Sequence, residues 1–103
     1  MTRTTAKNQI NKILNTTTKG LFSDEYWKPV QETWTALRAA GFEVEIQSTR
    51  YGQDTKGNPS EKVWFFEIPF DGSKKPFQGI LTCHGAGTVN DPLSKYDISA
   101  YVG

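Results

Sequence analysis

At Gly41 the hydrophobic pattern of the chain changes from that of a helix to that of a strand, and this change constrains the fold more than any other feature. Before it, Trp27, Val30, Trp34 and Leu37 recur at spacings of three and four, one stripe of an amphipathic helix facing a core. After it, Phe42, Val44, Ile46 and Ser48 alternate with Glu43, Glu45, Gln47 and Thr49, as in a half-buried strand. Gly41 sits where a helix C-cap needs a residue free to take positive φ.

The first segment reads as a second, more modest helix. Ala6, Ile10, Ile13 and Leu14 share one helical face, Thr4 or Thr5 caps the start, and Lys19-Gly20 stops the end. Residues 1–5 lie ahead of the pattern and are expected to fray. In the next helix Ser23 is the cap, Asp24 and Glu25 occupy the first turn, and Phe22 staples onto Trp27. Pro29 has no N–H and clashes with the carbonyl four residues back, so a short turn at 24–27 precedes the main helix or the helix kinks.

The remainder is strand and turn. Residues 50–60 hold Gly52, Asp54, Gly57, Asn58 and Pro59 and read as a long mobile loop. Lys62 to Ile68 is a strand that is apolar on both faces, ended by Pro69. Asp71 to Pro76 is a turn, Phe77 to His84 a further strand, and Gly85-Ala86-Gly87 closes it. Val89 to Lys95 is irregular, and Tyr96 to Val102 is a strand or a short helical turn. Helices first and strands after, joined by short turns, give an α+β fold in one domain over residues 1–103. Two N-terminal helices pack on one face of a three- to four-stranded antiparallel β-meander.

Several function classes drop out. No apolar run reaches the length of a membrane-spanning helix, so no membrane contact is expected. One Cys excludes an internal disulfide and a multi-Cys metal site. With Asn8 to Lys19 too polar for a signal-peptide core, the chain is expected to be cytoplasmic. The formal net charge is +1, which supplies no general attraction for nucleic acid. Arg3, Lys7, Lys12 and Lys19 make the first twenty residues basic, a pattern read as the solvated side of a helix.

Catalytic parts are also missing. The single His, His84, adjoins the single Cys, Cys83. Neighbouring strand residues point to opposite faces, so His84 does not activate Cys83; the thiol belongs in the core. There is no G-x-S-x-G elbow, no phosphate-binding Gly loop and no metal-ligand spacing. No cofactor and no metal are expected, and an enzyme built around His84 ranks last among the readings.

The sheet is the stronger clue. Either Val63 and Phe65, or Trp64, Phe66 and Ile68, must face away from the helices, and an outward aromatic set marks a contact surface. The chosen binding set is Trp64 and Phe66, flanked by Arg50, Tyr51, Lys62, Lys74, Lys75 and His84. The expected function is a non-catalytic module making protein–protein contacts, self-association into a homodimer included. A single-stranded nucleic-acid binder, stacking bases on the sheet aromatics among these Lys and Arg side chains, is the alternative; Glu43, Glu45 and Glu67 oppose it. By fold-level analogy, compact motif-free domains of this kind suit accessory proteins of phages and mobile elements.

Overall fold

The structure is a computed structural model of the whole chain, and it describes residues 1–18, 21–22, 27–53, 59–70, 72, 75–85 and 96–103. Its elements run α1 (Arg3–Thr17), β1 (Leu21–Phe22), α2 (Trp27–Ala39), β2 (Glu45–Gln53), β3 (Pro59–Ile68), β4 (Phe77–Gly85) and β5 (Tyr96–Val102). The strands form one antiparallel sheet in the order β1-β5-β4-β3-β2. From β2 to β5 it is the expected meander, with two-residue β1 added beyond β5. The segment 96–102 is therefore a strand.

Both helices turn their stripes inward, Ile13 being only partly buried and the Trp27 side chain lying outside the described residues. Ala6, Ile10 and Leu14 of α1 and Val30, Trp34 and Leu37 of α2 join Trp64, Phe66, Ile68, Phe77 and Leu81 of the sheet in one core. The cap of α1 is Thr2, whose Oγ1 accepts from the Thr5 N–H, rather than Thr4 or Thr5. Thr18 ends that helix, and the stop expected at Lys19-Gly20 lies outside the described residues. So does the cap expected at Ser23. Pro29 falls in the first turn of α2, where a missing N–H costs nothing because that donor has no partner within the helix. The helix accordingly needs no kink at Pro29, and the short turn expected at 24–27 falls mostly outside the described residues.

Gly41 does what its position demands. Its φ is 93°, its N–H donates to the Arg38 carbonyl at 3.0 Å, and the Phe42 N–H donates to the Leu37 carbonyl at 3.0 Å. That pair of bonds is the Schellman ending, and it throws Phe42 back onto the core beside Leu37. For this reason the strand begins at Glu45, later than the alternation suggests, and residues 42–44 are a connector. β2 instead runs on to Gln53 and β3 starts at Pro59, so most of the loop expected over 50–60 is strand, and only 54–58 lie outside the described residues.

Side-chain bonds tie α1 to its neighbours. Thr33 Oγ1 on α2 donates to Thr17 Oγ1 at 2.9 Å, which donates to the Ile13 carbonyl at 3.0 Å. β1 pairs only with the start of β5. At the other end of that edge, Asn11 takes the role of a strand: its Oδ1 accepts from the Val102 N–H at 3.0 Å and its Nδ2 donates to the Val102 carbonyl at 3.5 Å. No described helix is long and apolar enough to cross a membrane.

Candidate functional site on the outer sheet face

Register assigns every strand residue to a face, because directly paired residues in an antiparallel ladder point the same way. The helix-side set on β3 is Trp64, Phe66 and Ile68, paired with Leu81, Gly79 and Phe77 of β4. Trp64 and Phe66 are 7% and 1% exposed. Both are core residues, which corrects their assignment to the contact surface. The set on the outer face is the other one, Val63 and Phe65, of which Val63 is buried among its neighbours and Phe65 half-buried.

Across the outer face the registers build rows. Ser48, Phe65, Ile80 and Tyr101 form one row. Arg50, Val63, Thr82 and Ser99 form the next, and Gly52, Glu61, His84 and Asp97 the third. On the opposite side of the first row lie Glu45, Glu67 and Gln78. The central row is the apolar one: Phe65 and Ile80 are half-buried and Tyr101 is 60% exposed. A shallow open depression of about 440 Å³ lies among Phe65, Glu67, Gln78, Ile80 and Tyr101. Among the described residues, both helices lie on the other face, and Arg50–Gln53 and Tyr96–Val102 are strands of the sheet itself.

The remaining site residues scatter. Arg50 is on the outer face, its guanidinium 5.3 Å from the Phe65 ring centre. His84 is there too, its Nδ1 3.6 Å from Glu61 Oε2. Tyr51 and Lys62, a cross-strand pair, occupy the helix-side face beyond the helices, where Lys62 Nζ lies 4.9 Å from the Tyr51 ring centre and 4.9 Å from that of Trp64. Lys75 is at the far end of the sheet, its carbonyl accepting from Arg3 Nη1 at 2.7 Å. Lys74 lies outside the described residues. The seven described residues of the set thus form no single surface; among them only Arg50 and His84 share the outer face.

Cys83 and His84 are on opposite faces, as strand geometry requires. Cys83 is 1% exposed, paired in register with Ile98. Burial pushes its thiol up to about 11, with Asp97 adding to the rise and Lys62 opposing it, so it is a poor source of thiolate near neutral pH.

Sequence reasoning missed Ile80 and Tyr101. Their signal is the alternation itself. In β5, Ile98, Ala100 and Val102 take the buried positions and leave Asp97, Ser99 and Tyr101 outside. In β4, Phe77, Leu81 and Cys83 do the same and leave Ile80 out. No protein-family model matches the chain, and neither the curated proteins nor the solved structures contain a match to it.

Proposed function

We infer that this chain is a non-catalytic binding module whose outer sheet face makes protein–protein contacts. The observation that carries the reading is the row Phe65–Ile80–Tyr101, an apolar strip open to solvent on the face opposite the helices. Its surroundings have the composition of an interface: an aromatic and aliphatic centre, with Ser48, Arg50, Gln78, Thr82 and Ser99 as a polar rim. The charges weigh against single-stranded nucleic acid. Glu45, Glu61, Glu67 and Asp97 share this face with Arg50 and His84, a balance that repels phosphates. The cation–aromatic cluster of Lys62 with Tyr51 is on the other face.

Two measurements test the reading together. Titration with an unstructured oligonucleotide at low and moderate salt should show no sub-micromolar binding. A photo-cross-linking residue at position 101, in cells that make the protein, should yield protein adducts that Ile80→Glu removes, whereas one at exposed Thr35 on α2 should not. Tight, salt-sensitive oligonucleotide binding, or equal adducts from both positions, would reverse the conclusion.

A further inference from the structure

The outer face carries a like-charge pair that no described residue compensates. Glu45 of β2 and Glu67 of β3 are direct cross-strand partners on that face, an arrangement that is unfavourable by itself. Among the described residues neither carboxylate has an ion-pair partner. The one Arg of the same face, Arg50, stands on β2 on the far side of the apolar row, over the Phe65 ring. Glu45–Glu67 and Arg50–Val63 are therefore the rows immediately on either side of Ser48–Phe65–Ile80–Tyr101.

This layout is self-complementary. Stack two copies face to face with a two-fold axis running along the apolar row, across the strands. Each strand then lies over its own counterpart with its direction reversed, as isologous contacts require. Phe65, Ile80 and Tyr101 meet their equivalents in the other copy. Arg50 of each copy comes over Glu45 of the other, with Glu67 one strand away, and Thr82 comes over Gln78. A two-fold axis along the strands through the middle of the row instead lays β2 over β5 and β3 over β4, so Arg50 faces Ser99, Glu67 faces Gln78, and no ion pair forms. Charge thus selects one of the two ways of pairing the face.

We propose that the occupant of the outer face is a second copy of this chain, docked about a two-fold axis along Phe65–Ile80–Tyr101 and locked by two reciprocal Arg50–Glu45 ion pairs. The proposal rests on the reading of that face as a protein-contact surface and names its partner. Four strands at about 4.8 Å spacing, over about 20 Å of strand, cover on the order of 400 Å² per copy. That is roughly half of the ~800 Å² per partner of a standard interface, so the dimer is a weak one, dissociating in the micromolar range.

The test is sedimentation equilibrium on the full chain up to about 0.5 mM, well above a micromolar dissociation constant. The expected result is a mass rising with concentration toward twice that of the monomer. Arg50→Glu and Glu45→Arg should each weaken association at least about tenfold, and the double variant should restore it to within about threefold of the parent. All these positions are solvent-facing, so the variants keep the fold, which far-ultraviolet circular dichroism checks. A chain that stays monomeric at the highest concentration overturns the self-docking while leaving the contact face open to another protein, which the cross-link from position 101 reads separately. Association without rescue in the double variant overturns the proposed axis.

Discussion

The ring of Phe66 occupies the space that a side chain on Gly79 would need: a Cβ built on Gly79 would stand 2.3 Å from Phe66 Cζ. The two residues are cross-strand partners on the helix side of the sheet, and Trp34 of α2 closes over the same ring edge-on, with centroids 5.0 Å apart. A glycine in the middle of a central strand is ordinarily a weakness. Here it is what lets an aromatic ring lie flat between the sheet and α2. Gly79→Ala should therefore destabilise the protein by about 2–3 kcal/mol, as overpacking does. Combining it with Phe66→Leu should cost less than the sum of the two single changes, because the smaller side chain vacates the space. Denaturant unfolding of the four proteins checks this; strict additivity would show that the two positions do not compete.

Neighbouring aromatics on β3 should behave as opposites. Phe66→Ala opens a cavity in the core and should cost about 3–5 kcal/mol. Phe65→Ala, on the outer face, should cost about 1 kcal/mol or less while abolishing whatever association the protein shows. Trp34→Ala belongs with Phe66, at about 3–5 kcal/mol, since Trp34 is 6% exposed. Thermal midpoints read alongside sedimentation separate the two effects; a Phe65 variant that is badly unfolded would place it in the core instead.

Gly41 should tolerate substitution poorly. At φ 93° any side chain is strained although the space around it is open. Gly41→Ala should cost about 1 kcal/mol, and Gly41→Val more, since a β-branched residue suits the left-handed region least. Equal stability of the Ala and Val variants would mean that the α2 ending rearranges rather than strains.

Cys83 gives a pH test with a definite sign. Its thiol is held at about 11 in the folded protein against a reference of 9.0, so the folded state favours the protonated form. The stability this contributes is fully present below pH 9 and is lost as the pH rises through 9 toward 11. Cys83→Ala should flatten that part of the alkaline stability profile, and in the parent protein a thiol reagent at pH 8 should react slowly until denaturant is added. Rapid labelling of the folded chain would contradict the burial of Cys83.

The fold was largely legible because the strongest periodic signals are also the packed ones. The stripe Val30–Trp34–Leu37 and the change of pattern at Gly41 sufficed to order helices before strands. The contact face was not legible, and β3 shows why. Val63, Trp64, Phe65 and Phe66 are consecutive and all apolar, so alternation alone cannot say which pair lies under the helices. The decision comes from β4, where Gly79 opposite Phe66 leaves room for a ring on one side only. It is a tertiary fact, absent from either strand read alone. The long loop failed for a related reason: Arg50–Gln53 is polar and glycine-containing because β2 is an edge strand with exposed side chains, Tyr51 at 59% among them. An exposed edge strand and a loop have similar composition.

The most direct test of the outer face as the contact surface is a dilution series followed by backbone amide spectra of the labelled protein. On raising the concentration, the resonances that move should be those of the central row and its two flanks, including Phe65, Ile80, Tyr101, Arg50 and Glu45, while those of Trp34 and Thr35 on α2 stay fixed. Movement centred on α2, or on the helix-side residues Tyr51 and Lys62, would contradict the assignment of the contact surface to this face.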